Sequence, residues 1–156
     1  MTDLEFFAER DDLNVTWQHL IRESEKALAS AYAPYSSFRV ATSLLMEDNT
    51  VVTGSNQENA AYPSGMCAER VALFTAASLH PGKKIVKLLI IAMREDRPGT
   101  LLPATPCGGC RQVMAEMEIR QQSPIQILML WKPGQWVKVS SALSLLPFSF
   151  QPDNLK

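Results

Sequence analysis

PATPCGGCRQVM, residues Pro103 to Met114, carries two of the chain's three cysteines, three positions apart and directly behind a proline. Pro106 suits the first turn of a helix, where a missing backbone donor costs nothing, so the stretch reads as a loop entering a helix near Cys107. On that helix Cys107 and Cys110 share a face. The positive end of the helix dipole favours the thiolate form. Spacing alone leaves a redox couple, a structural staple and half of a metal site open. The third cysteine, Cys67 in GMCAERVAL, narrows the choice, because it too stands at the start of a predicted helix, behind Ser64-Gly65.

Outward from these two helices the chain alternates. Leu20, Ile21, Ala27, Leu28 and Ala31 fall at helical spacing and predict an amphipathic helix over 16–31, ended by Pro34. Phe38–Met46 and Val51–Thr53 flank the polar turn Glu47-Asp48-Asn49 as a β-hairpin. The loop SNQENAAYPSG leads to the helix over 67–79, and the apolar run 86–93 is a buried strand. REDRPGTLLPAT connects it to the helix over 107–117, and strands at 125–130 and 135–139 follow, joined by Lys132-Pro133-Gly134. Strands alternating with helices imply parallel pairing, while the leading hairpin implies an antiparallel pair, so the expected fold is α/β with a mixed sheet.

The 156 residues suffice for one domain with a substantial core, and 46% hydrophobic with 20% charged residues is ordinary for a soluble protein. The expected division is an acidic leader over 1–15 and a single domain over 16–156. The leader is read as partly disordered, with Phe6 and Phe7 available to dock on the body. The net charge of −1 divides into −4 over residues 1–15 and +3 over the rest, with no dense Lys/Arg cluster. A nucleic-acid surface is therefore not expected, and neither is a membrane span. MTDLEFFAERDD is acidic where a secretion signal would be basic, so a reducing cytoplasm is the expected location.

Three cysteines suit zinc, with three protein ligands and a fourth position left to water as in a catalytic site. Only His19 and His80 could close the shell, and both read more simply as surface or loop residues. Zinc brings the pKa of its water toward about 7, and the resulting nucleophile needs a group to take up and return protons. Glu69, two residues after Cys67, is in reach to do so as general base and then acid. Three thiolates around Zn²⁺ leave a net −1, which hydrogen bonds from Arg70 and Arg111 to the sulfurs would offset.

Cys67-Ala68-Glu69 with Pro106-Cys107-Gly108-Gly109-Cys110 resembles the three-cysteine form of the zinc nucleobase deaminase signature. More specifically, the chain is similar to the small tetrameric cytidine deaminases from about Tyr32 to Leu155, through APYSSFRV, NQENAAYPSGMCAER, PCGGCRQVMAEM and LLPFSFQPDNL. The resemblance implies a three-layer α/β/α fold around a five-stranded mixed sheet, and a homotetramer with shared active sites. It also implies one Zn²⁺ per chain on Cys67, Cys107 and Cys110, with Glu69 carrying protons from the attacking water to the pyrimidine N3 and then to the departing ammonia. Asn56 and Glu58 would hold the ribose. Phe38 and Phe150 would pack on the base, Phe150 from across an interface, while Ala68 and Tyr62 would complete the substrate site, and Tyr35 and Tyr62 would lie at subunit contacts near it.

The chain departs from that pattern at Val40-Ala41-Thr42, where Val-Gly-Ala is common, and the added volume is expected near the base. Met117, Gly109, the acidic leader and the long REDRPGTLLPAT connection also differ. The expected activity is hydrolysis of cytidine or 2′-deoxycytidine to the uridine counterpart and ammonia. Alternatives are deamination of another aminated nucleoside or a nucleoside antibiotic, a structural zinc or binding protein, and a C-x-x-C oxidoreductase that leaves Cys67 and Glu69 without a role.

Overall fold

The structure, a computed structural model, describes residues 4–155. Strand β1 (Leu4–Phe7) leads through a short 3₁₀ turn to helix α1 (Val15–Ala27), followed by the hairpin β2 (Phe38–Met46) and β3 (Val51–Ser55). Helix α2 (Ala68–Leu79), strand β4 (Ile85–Arg94), the two-residue β5 (Leu101–Leu102) and helix α3 (Gly108–Gln121) come next. Strands β6 (Gln126–Lys132) and β7 (Gln135–Val139) precede a tail of two 3₁₀ turns, Ala142–Leu145 and Pro152–Leu155.

The strands form one sheet in the order β1-β7-β6-β4-β2-β3, with β5 paired to β4. Among the strands of the described residues only β4 and β6 pair in parallel, joined by the α3 crossover, so the sheet is mixed as expected. It has seven strands rather than five. One addition is β1, drawn from the acidic stretch 1–15: Leu4 pairs with Val139 and Phe7 with Trp136. An ion pair from Glu5 to Lys138 and a bidentate one from Arg10 to Glu25 (2.7 and 3.1 Å) hold the segment on the body. The other addition is β5, which takes the edge of β4 beyond the point where β6 stops.

Alternate residues along the central strands face opposite layers, as a pleated sheet requires. Leu88, Ile90, Ile127 and Met129 pack beneath α2 and α3 with Leu73 and Met114. Leu89, Ile91, Leu128 and Leu130 pack against α1 through Trp17, Leu20 and Ile21. The Asn14 side chain caps α1 by accepting from the Trp17 amide (3.2 Å), and a buried hydroxyl pair, Ser24 to Ser43 at 2.8 Å, ties the helix to β2. α1 is shorter than predicted, passing into a 3₁₀ turn at Leu28–Ser30.

Because β3 and β4 are each antiparallel to β2, they run in the same direction. The helices that follow them, α2 and α3, therefore begin at the same end of the sheet, and this brings the three cysteines together.

Candidate metal centre and active site

Cys67 is the N-cap residue of α2 and Cys107 the N-cap residue of α3; both have extended backbone, and Cys110 lies in the first turn of α3. The Sγ atoms of Cys67 and Cys107 are 3.9 Å apart and those of Cys107 and Cys110 3.5 Å apart, with all three within 4.8 Å of one another. A tetrahedral ion with Zn–S bonds of about 2.3 Å separates two sulfurs by about 3.8 Å, so the donor set fits zinc in both chemistry and spacing. His19 sits on the exposed side of α1 and His80 caps the opposite end of α2 from Cys67; neither belongs to the cluster.

The cluster distributes its protons unevenly. A hydrogen bond with Cys110 brings the Cys67 thiol down to about 5, and Arg70, whose Nη2 lies 3.8 Å from the Cys67 sulfur, adds to the effect. The same Cys67 contact and burial push the Cys110 thiol up. The lowered Cys67 thiol stands next to a guanidinium that this contact keeps firmly protonated.

Glu69 follows two residues later, in the first turn of α2, and is only 4% exposed. Loss of solvent raises its carboxyl above the usual range, and the neighbouring Cys67 charge adds to the rise. A carboxyl held this way takes up a proton readily and is suited to pass it on.

Cys67, Glu69 and Cys107 line one cavity of about 540 Å³. Its floor is Val40 and Ile90 from the sheet, and one wall is the Pro103–Thr105 segment that leads into α3. Of these, Ile90 escaped the sequence reading, although it belongs with Val40 to the alternating face over the core beneath α2. Phe38, Asn56, Glu58, Tyr62 and Ala68 all reach the cavity; Phe150 lies outside it.

The Asn56 side chain is engaged with β2, accepting from the Val40 amide at 2.8 Å and donating to the Phe38 carbonyl at 2.9 Å. Those bonds leave it one N–H and one lone pair. Glu58 accepts from the Ser36 hydroxyl and from the amides of Tyr35 (2.9 Å) and Ser36 (3.3 Å), which hold its carboxyl below the usual range, the hydroxyl most of all. Tyr35 is thereby fixed through its backbone while its side chain stays exposed.

Arg111, expected to donate to a ligand sulfur, donates instead to the carbonyls of Pro106 (2.9 Å) and Leu145 (3.3 Å). Arg111, four residues after Cys107, and Arg70, three after Cys67, are both spaced to reach a sulfur, but the two carbonyls take the Arg111 guanidinium, whereas Arg70 lies 3.8 Å from the Cys67 sulfur. Ala41 packs against the α1 side of the sheet and adds no volume to the cavity. Thr42 is fully buried in register with Gly54 and Ile90, its hydroxyl without a partner among the described residues.

The family described as "Cytidine and deoxycytidylate deaminase zinc-binding region" matches residues 15–123. The chain is 40% identical to a cytidine deaminase of Sporosarcina psychrophila over 138 residues, covering 88% of this chain and 93% of that protein. Among solved structures it is similar to the cytidine deaminase of Burkholderia pseudomallei, with 36% identity, a TM-score of 0.70, and coverage of 85% and 98% of the two chains. It is also similar to that of Mycobacterium tuberculosis, with 31% identity, a TM-score of 0.67, and coverage of 88% and 99%.

Proposed function

We propose a working mechanism from the premise that this chain belongs to the cytidine and deoxycytidylate deaminase family. Its activity is the zinc-dependent hydrolysis of cytidine or 2′-deoxycytidine to the uridine counterpart and ammonia. The observation that carries this reading is the meeting of three cysteine sulfurs at zinc spacing with a buried glutamate on the wall of one cavity.

Cys67, Cys107 and Cys110 hold the metal, one Zn²⁺ per chain. When bound, zinc supplies Lewis acidity and a water nucleophile at neutral pH. Glu69 takes a proton from the attacking water and delivers it to N3 of the pyrimidine, and then moves a second to the amino nitrogen as the C4–N bond breaks. One water is consumed, the new C4–O bond replaces C4–N, and ammonia departs. Arg70 balances the thiolate charge at Cys67.

Phe38, Tyr62 and Ala68 shape the space for the planar base, and its aromatic neighbours suit that role. Asn56, with its remaining N–H and lone pair, and the Glu58 carboxylate serve the ribose hydroxyls. Their fixation on β2 and on the 35–36 backbone means that little freedom is lost when sugar binds.

The chain acts as a homotetramer. Large side chains with apolar faces stand in water, Tyr62 (77% exposed) at the cavity and Phe148 (98%) and Phe150 (57%) on the C-terminal tail, and subunit contacts would cover them. Phe150, outside its own cavity, serves the cavity of a neighbour. Residues 16–156 are the catalytic domain, and the stretch 1–15 adds to the sheet edge. Among the described residues no helix is long and apolar enough to cross a membrane, and three free cysteines suit a reducing cytoplasm.

The test follows ultraviolet absorbance and ammonia release with cytidine, deoxycytidine, cytosine, adenosine and guanine, alongside zinc analysis. Turnover of the two cytosine nucleosides with one zinc per chain is expected. Turnover confined to another member of the panel overturns the substrate assignment, and an easily formed Cys107–Cys110 disulfide without zinc would favour the oxidoreductase.

A further inference from the structure

The first turns of α3 grip the C-terminal tail at two consecutive positions. Arg111 donates to the Leu145 carbonyl, and Gln112 makes a two-way contact with one residue of the tail: its Nε2 donates to the Phe150 carbonyl at 2.7 Å, and its Oε1 accepts from the Phe150 amide at 3.2 Å. A planar amide bonded to both the N–H and the C=O of one residue imitates a neighbouring strand. It fixes orientation as well as position, which a single bond would leave free to swivel. The side chain plays no part in this grip. Phe150 is left 57% exposed, with no aromatic partner among the described residues and outside its own chain's cavity.

We propose that Gln112 is a positioning residue for deamination: it presents the Phe150 ring, from the helix that carries Cys107 and Cys110, to the cavity of an adjoining copy of the chain. The proposal rests on the reading above that Phe150 serves a neighbouring site. The main-chain clamp explains how a largely exposed ring is held ready by its own backbone. It also makes α3 a shared support, with two zinc ligands for its own site near one end of the link and an aromatic wall for another site at the other end.

Gln112→Ala is expected to keep zinc content and tetramer size, to raise KM for cytidine about tenfold through the loss of a positioned aromatic contact, and to leave kcat within about twofold. Phe150→Ala should give a similar KM, and the double variant should be no worse than Phe150→Ala alone. Gln112→Glu keeps the acceptor and loses the donor, and should fall between wild type and Gln112→Ala. If Gln112→Ala fails to assemble, Gln112→Glu carries the comparison.

Co-expression of Gln112→Ala with Glu69→Gln separates presentation to a neighbour from action within one chain. Cavities with an intact Glu69 then receive an intact tail from the other subunit, and a population with wild-type KM should reappear. A KM that stays raised in the mixed assembly, or a Gln112→Ala enzyme with wild-type KM, overturns the proposal. Wild-type protein that deaminates no nucleoside overturns the functional reading instead, and an active monomer overturns the presentation across subunits.

Discussion

Gly54 on β3 and Ala72 on α2 meet backbone to backbone. A Cβ on Gly54 would stand 2.5 Å from the Ala72 amide nitrogen and 2.6 Å from the Ala68 carbonyl oxygen, distances that real Cβ atoms do not reach. The first turn of α2, which carries Ala68 and Glu69 directly after Cys67, rests on this missing side chain. Gly54→Ala should therefore push α2 off the sheet, lowering stability by about 1–3 kcal/mol as overpacking does and reducing kcat with it. Denaturant unfolding with parallel kinetics checks this, and unchanged values for both would refute the close-packing account.

Glu69→Gln keeps size and burial but removes the titrating group. Zinc content should stay at one per chain while kcat falls about 10²–10⁴-fold, the usual range for loss of a general acid–base. Near-normal turnover would take Glu69 out of the mechanism.

Cys107→Ala removes the sulfur that stands 3.9 Å from Cys67 and 3.5 Å from Cys110. Both metal and activity should be lost. A strong chelator should inactivate the wild-type protein, with recovery on adding zinc under reducing conditions, whereas the variant should not recover. Full zinc retention by the variant would refute the ligand set.

Ser36 governs how Glu58 titrates. The hydroxyl holds the Glu58 carboxyl low, so in the folded protein the charged form is favoured. The stabilisation this provides is present above the ordinary carboxylate range and is lost as pH falls through the lowered folded value. Ser36→Ala should move the Glu58 midpoint back up, so that the 35–36 turn loosens at a higher pH than in the wild type. Side-chain carboxyl NMR reads this directly; an unmoved midpoint would show that the Tyr35 and Ser36 amides suffice.

What could be read in the sequence was what repeats or lies close along the chain. Ala68, Ala72 and Ala76 announce the buried face of α2, and the apolar run Leu88 to Met93 within β4 announces a strand covered on both sides. The meeting of Cys67, Cys107 and Cys110 was legible because thiols at helix starts carry chemistry in their identity. β5 was not, since two residues show no period, and β1 was not, since its four residues are largely exposed and give little alternation. Gln112 and Glu118 were also silent, because their partners lie far away in the chain. Glu118 accepts from the Ile125 and Ala142 amides at 2.8 and 2.7 Å and from the Ser141 hydroxyl, fixing the end of α3 to the segment after β7. Arg111 shows the converse, since its nearness to Cys107 and Cys110 suggested a sulfur contact while the Pro106 carbonyl and the distant Leu145 carbonyl hold its guanidinium.

The pairing of Leu4 with Val139 also sets a timetable for the protein's synthesis. Leu4, Phe6 and Phe7 leave the ribosome early and have no partner strand until β7 has been made. At roughly 5–20 residues per second that wait is on the order of ten seconds. The surplus of acidic residues around them gives that waiting segment a net negative charge, which favours solvation over self-association. β1 can take its place at the sheet edge only once β7 has been made, so the pairing joins residues synthesised far apart in time.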